Sequence, residues 1–162
     1  MKIVENSIVL RKAEAEHVES LRQFKLGEDQ LAFTSMPIPT YEKCLADQEK
    51  FPVVILDNEK VIGFFVLDLG ADVALYTTNP EAVLMRAFSI NLEEQGKGFG
   101  KCSLHLLEPF VRENMPGRNE IVLGVNHNNP AAKQLYINAG FVDQGYKKEG
   151  RSGLMAILHN FI

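Results

Sequence analysis

The chain holds only two cysteines among its 162 residues, Cys44 and Cys102, too few and too far apart for a disulfide framework or a zinc knuckle. Each reads as a small packed side chain. The four histidines, His17, His105, His127 and His159, share no metal-ligand spacing, so no metal is expected. Apolar runs are short, none near the roughly 20 residues that cross a bilayer. Met1 to Arg11 carries Lys2, Glu5 and Arg11 and has no apolar core of a signal peptide, so a cytoplasmic protein without membrane attachment is expected. Positive charge is not in excess either: 17 Lys and Arg stand against 21 Asp and Glu, a formal net charge of -4. Such a surface repels phosphate backbones, which excludes general nucleic-acid binding.

What is present is ordinary for a globular protein, with 46% apolar and 23% charged residues. At this length one domain spanning 1–162 is expected, with a core that needs no covalent staple. No repeat, linker or low-complexity tract interrupts it. Ile8 to Leu10 reads as a strand and Ala13 to Phe24 as a helix with Val18, Leu21 and Phe24 on one face. Gly27 to Pro39 has no period and ends at Thr40, a cap for a short helix through Leu45. Phe51 to Leu56 and Val61 to Leu69 form a hairpin across Asp57 to Lys60. Val73 to Tyr76 and Val83 to Ile90 continue the strand pattern. Phe99, Cys102, Leu106, Leu107 and Phe110 then mark an amphipathic helix, which Pro109 should kink or shorten by removing the bond to the His105 carbonyl. Glu120 to Val125 is a strand, Pro130 to Ala139 a helix stopped by Gly140, and Phe141 to Tyr146 pairs with Leu154 to Leu158 across Gly150 to Gly153. The string is β-α-α-β-β-β-α-β-α-β-β, an α/β (α+β) chain with a mixed sheet and helices on it.

The stretch Gln95, Gly96, Lys97, Gly98, Phe99, Gly100, Lys101 lies between a strong strand and a strong helix. Its glycines let the backbone turn tightly and approach a ligand. At a helix start the first amides lack internal partners and the macrodipole is positive, which suits a phosphate; Lys97 and Lys101 add charge. A Walker loop needs glycine where Asn91 stands, and a dinucleotide fingerprint needs one where Lys101 stands, so neither fits. A turn that only joins strand to helix accounts for one glycine, not for three with two lysines.

Downstream lie Asn129, Ala132, Leu135, Tyr136, Gly140 and Phe141. With Gln95, Gly98 and Gly100 they make the chain resemble the GCN5-related N-acetyltransferase (GNAT) family, specifically over Val83 to Phe141. The resemblance implies a mostly antiparallel central sheet with helices on both faces, and acetyl-CoA as cosubstrate. The strand before the loop would splay from the one after it, and Phe88, Ser89 and Ile90 would pair with pantetheine through their main chain. An N-H there would also bind the oxyanion of the thioester carbonyl. Gln95 to Lys101 would hold the pyrophosphate, and Asn129 would bond the pantetheine arm. Tyr136 would be the general acid that protonates the departing thiolate, since a phenol near pKa 10 is protonated at neutral pH; read without the family, it is as readily a core aromatic.

The base stays open. Some family members carry a glutamate on the strand before the loop, whereas Val83 to Ile90 holds only Arg86 as a charge. Glu28, Asp29, Asp68, Glu93, Glu94, Glu120 and His127 are candidates. Cys102 is expected in the core, so direct attack in a ternary complex is preferred to an acyl-cysteine. Gly27 to Pro39, the loop from Gly70 to Pro80 and the last hairpin should choose the acceptor. Glu28, Asp29, Asp72 and Glu81 suit a cationic amine, and the segment Glu28 to Phe33 is similar to bacterial spermine and spermidine acetyltransferases. A small primary amine of polyamine type is the first choice, a protein or peptide amine the second, and an acetyl-CoA-binding sensor without turnover the alternative of another class. Homodimers are expected by analogy with the family.

Overall fold

The computed structural model describes residues 7–162. Seven strands form one sheet in the spatial order β1-β2-β3-β4-β5-β7-β6. They are β1 (Ile8–Lys12), β2 (Lys50–Asp57), β3 (Lys60–Asp68), β4 (Ala82–Ile90), β5 (Glu120–Asn126), β6 (Val142–Gly150) and β7 (Gly153–Phe161). Every pairing is antiparallel except that of β4 with β5.

Alternation explains why the sheet is covered on both sides. Val53 and Ile55 of β2 join one core with Phe65, Leu67, Met85 and Leu123, while Val54 and Leu56 join another with Phe64 and Val66. The first core is closed by α4 (Phe99–His105) and α5 (Leu107–Asn114), the second by α1 (Val18–Arg22) and α3 (Pro37–Leu45). Phe64 and Phe65 point to opposite cores, are 0% and 1% exposed, and each contributes roughly 1.5–3 kcal/mol by burial. The β2–β3 hairpin turns through Asn58 and Glu59, both with positive φ, at 47° and 73°; the flanking strands' twist favours such a two-residue loop.

Three expectations need correction. Val73 to Tyr76 is not strand but part of a 3-10 turn over Ala71–Leu75. Asp68 Oδ1 accepts the Gly70 N-H at 2.8 Å and bends the chain out of the sheet, while Val73 packs with Ala82, Leu84 and Val122. Its branched side chain serves packing, not extended backbone. The segment from Gly27 to Pro39 contains a four-residue helix, α2 (Glu28–Leu31), whose start is closed by Gln30 Oε1 accepting the Gly27 N-H at 2.8 Å. Thr40 is not the cap of α3: that helix begins at Pro37 behind Met36, and the Thr40 hydroxyl donates to the Met36 carbonyl at 3.0 Å.

Pro109 acts where its chemistry places it, one turn back. The chain breaks between α4 and α5 at Leu106, beside the His105 carbonyl that the proline ring crowds, and the helix then runs on to Asn114. The last helix, α6 (Pro130–Asn138), has Asn129 as cap, with Oδ1 accepting the Ala132 N-H at 3.3 Å.

Gly63 has no room for a side chain. A Cβ there would stand 2.6 Å from Ile55 Cδ1, 2.9 Å from Ile90 Cδ1 and 3.0 Å from the Ser89 carbonyl. Gly63→Ala should therefore destabilise the protein by about 1–3 kcal/mol, read as a lower urea midpoint with an unchanged slope.

Candidate active site

The sheet opens where its one parallel ladder ends. β4 and β5 pair only at Ala82–Glu120, Val83–Ile121 and Leu84–Val122, after which β5 keeps its bonds to β7 alone. β4 bends away through a bulge. Phe64 faces Ser89 and Val66 faces Arg86, so β4 carries one extra residue there, and Ala87 takes a left-handed φ of 57°. A cleft of about 1030 Å³ fills the fork, with Met85 to Ile90 on one arm and Leu123 to Asn126 on the other. Backbone groups on these facing edges have no ladder partner and are available to an extended ligand.

β4 ends at Ile90, and a short 3-10 turn leads from it to the glycine loop. Gln95 Nε2 donates to the Ile90 carbonyl at 2.8 Å, so this side chain shapes the loop instead of reaching outward. Gly96 and Gly98 have φ of 77° and 87°, a conformation that costs other residues roughly 1–2 kcal/mol. Gly100 is needed for a different reason: a Cβ there would meet Leu135 of α6 at 3.3 Å. Phe99 is 5% exposed in the core, which leaves its N-H as the group it can offer. The first helical bond of α4 runs from the Cys102 N-H to the Gly98 carbonyl at 3.1 Å, so the preceding amides lie before the ladder. A cavity of about 250 Å³ lies against Gly96, Gly98, Gly100 and Lys101.

The two loop lysines differ. Lys101 is exposed at the start of α4. Lys97 is tied to Glu94 Oε2 at 3.1 Å, and Glu94 Oε1 also holds Lys60 Nζ at 2.6 Å. The hydrogen bond from Lys60, aided by that from Lys97, keeps the Glu94 carboxyl below the usual carboxylate range.

Tyr136 lies in the last turn of α6, with its ring edge-on to Phe88 at 6.1 Å and to Phe141 at 5.9 Å. It lines the cleft, its hydroxyl makes no hydrogen bond among the described residues, and burial pushes its phenol above the ordinary value. Tyr136 thus packs as a core aromatic and presents a protonated oxygen at once. Asn129 and Ser89 also line the cleft, and the Ser89 hydroxyl is buried without a partner. Cys102 sits in the core, 7% exposed.

Of the carboxylate candidates for the base, only Asp29 lines the cleft; Asp72 and Glu149, which were not among them, line it too. Glu120 is buried at the far end of β5 against His159, 2.6 Å away, and His127 Nδ1 is spent on the Leu154 carbonyl at 3.0 Å. Also unforeseen was the ion cluster of Arg86, whose Nη1 meets Asp68 at 3.2 Å and Asp72 at 2.8 Å. The only sequence signal for it was a lone charge in an apolar strand. Among the described residues no group of three His, Cys, Asp or Glu side chains gathers as a metal would require, and no helix is long and apolar enough to cross a membrane.

A splayed sheet with unpaired edges and an amide-rich loop at its fork offers main-chain groups to an extended ligand that ends in an anion. Residues 16–141 match the acetyltransferase (GNAT) family. A protein of Bacillus subtilis (strain 168) named Uncharacterized N-acetyltransferase YbbJ is 39% identical over 148 residues, covering 91% of this chain and 92% of its own. Among solved structures, AAC(6')-Ib in complex with paromomycin and acetyl-CoA superposes with a TM-score of 0.76 at 18% identity, over 96% of this chain and 93% of its own. The spermidine N-acetyltransferase of Vibrio cholerae, in complex with CoA and spermine, gives 0.73 at 20%, over 96% of each chain. The chain belongs to the GNAT family and is an N-acetyltransferase.

The Glu94 cluster has a pH signature. A carboxyl whose folded-state pKa is depressed stabilises the protein above the ordinary carboxylate range and loses that contribution as pH falls through the depressed value. Glu94→Gln should be less stable than the parent at neutral pH, and the gap between their urea midpoints should narrow as the pH falls below the ordinary carboxylate range.

Proposed function

We propose that the protein transfers the acetyl group of acetyl-CoA to a primary amine of a small molecule by direct attack. The observation that carries this reading is the bulged, unpaired edge of β4 from Met85 to Ile90, facing Tyr136 across one cleft and running into the glycine loop. Pantetheine would lie along Phe88, Ser89 and Ile90 as an added strand, with Asn129 across from it. The pyrophosphate would rest on the amides of Gly96, Lys97, Gly98, Phe99, Gly100 and Lys101, with Gln95 bracing the turn.

In the reaction the amine nitrogen attacks the thioester carbonyl carbon, and charge gathers on its oxygen, where a β4 main-chain N-H can meet it. The carbon–sulfur bond then breaks, the amide forms, and the thiolate takes the Tyr136 proton. The attacking nitrogen gives up its own proton to water, and water returns one to the Tyr136 phenolate, so protons balance over the cycle. Of the carboxylates lining the cleft, Asp72 is held below the usual range by Arg86, which makes it a weak base. Buried Cys102 is poorly placed for an acyl-enzyme, which supports direct transfer.

Thiol release from acetyl-CoA with a panel of polyamines, amino acids, aminoglycosides and peptides tests the reading. Tyr136→Phe should lower kcat by about 10²–10⁴-fold while leaving the Kd for CoA within a few-fold. Unchanged turnover would remove Tyr136 from the mechanism, and CoA binding without thiol release for any amine would mark a sensor.

A further inference from the structure

The half of the cleft away from the glycine loop carries a charge opposite to that of the whole chain. Lys43, Lys50, Arg86, Lys148 and Arg151 line it against Asp29, Asp72 and Glu149, in a protein of formal net charge -4. The hairpin between β6 and β7 borders this lobe and is tied to the segment facing it: the Ser152 hydroxyl donates to the Ala32 carbonyl, and Asn126 Nδ2 donates to the Ser152 carbonyl at 2.9 Å. Of its cations, Lys50, Arg86 and Lys148 are half-buried.

Arg86 stands at the centre. On β4 it faces Val66 of β3, on the side of the sheet covered by α1 and α3. Its Nη1 is pinned by two carboxylates, and one of them, Asp68, is 1% exposed and fixed in turn by the Gly70 N-H. Its Nε and Nη2 make no hydrogen bond among the described residues, while the side chain stays 40% exposed and lines the cleft. A guanidinium anchored through one nitrogen keeps the rest of its planar donor fork in a fixed direction.

Neutralising Asp68 would need no further cation, yet Lys50 and Lys148 add theirs. Both act with Arg86 to hold the Asp72 carboxyl below its ordinary range, the Arg86 hydrogen bond leading. Lys50 has an alternative partner, Asp47, only at 3.8 Å in a pair too exposed to hold it. Lys148 lies over the Tyr76 ring at 5.4 Å. Arg86, Lys50 and Lys148 thus gather at Asp72, and over the whole lining of the cleft five cations stand against three carboxylates. In the same cleft the Thr34 and Ser89 hydroxyls are buried without partners, as expected of groups completed by a polar ligand.

We propose that Arg86 selects the acceptor by binding a carboxylate carried on the same molecule as the reacting amine, so that the preferred substrate is an amino acid or short peptide and not a polyamine. The inference rests on the acetyl-transfer reading above. A carboxylate accepts two parallel hydrogen bonds from a guanidinium fork, whereas a polyamine brings further positive charge to a lobe that already has an excess.

Matched acceptors that differ by the carboxylate decide the matter: lysine against cadaverine, and methionine against methioninamide, in the thiol-release assay. The carboxylate-bearing member of each pair should have a kcat/KM at least about tenfold higher. Arg86→Gln should bring both ratios toward one, and Arg86→Lys, which keeps the charge but loses the fork, should fall between. A purely structural role would lower activity on both members of a pair alike. Because Arg86→Gln leaves buried Asp68 unpaired and risks misfolding, the parent protein's own ratios serve as an independent test: parity, or preference for cadaverine or spermidine, overturns the proposal. If no acceptor releases thiol, the acetyl-transfer reading fails. Calorimetry of the CoA-loaded protein then separates the two, since binding of lysine no tighter than cadaverine refutes the Arg86 site as well.

Discussion

The ladder between β4 and β5 stops after three residue pairs, and the rest of the molecule depends on that stop. Interior strands seldom leave hydrogen-bonding groups unpaired, because each such group costs free energy when water is withdrawn from it. Here the omission is imposed from several sides. The bulge at Ala87 turns β4 outward. The end of β4 is then held away from the fork, with Asn91 N-H bonded to the Ile62 carbonyl at 2.9 Å and Leu92 N-H to the Lys25 carbonyl at 2.8 Å. β5 meanwhile is held by β7 along its whole length. Both arms are thus tied to other parts of the fold, and the facing edges stay unpaired.

In the proposed reading the fork divides labour among chemical types: main-chain groups and glycine conformations grip the donor, with Gln95 and Phe99 facing inward as braces, and charged side chains choose the acceptor. Tyr136 sits at the junction, packed between Phe88 and Phe141 by the same aromatic contacts that aim its hydroxyl. The packing that places it in the core also leaves it lining the cleft, where the proposed acid would stand.

Much of this was legible in the chain because it is local. The glycine loop, Pro130 at the start of α6, and the β-branched and aromatic runs of the β2–β3 hairpin each express a constraint spanning only a few residues. The effect of Pro109 was legible in kind, though the helix resumed past it and did not end. What escaped were features set by distant neighbours. Val73 has the side chain of a strand residue, but the Asp68–Gly70 bond bends the chain before it can extend. Arg86 in an apolar strand looked like an absence of the expected glutamate; only the fold brings Asp68, Asp72, Lys50 and Lys148 around it. Likewise Asp29 and Asp72 face the cleft while Glu28 and Glu81, equally acidic in sequence, do not.

The bridge from Ser152 to the Ala32 carbonyl spans 120 positions. Because it ties the final hairpin to the residue that follows α2, one border of the cleft is assembled from stretches that lie far apart in the chain, and a change of length or sequence in either is felt by the other.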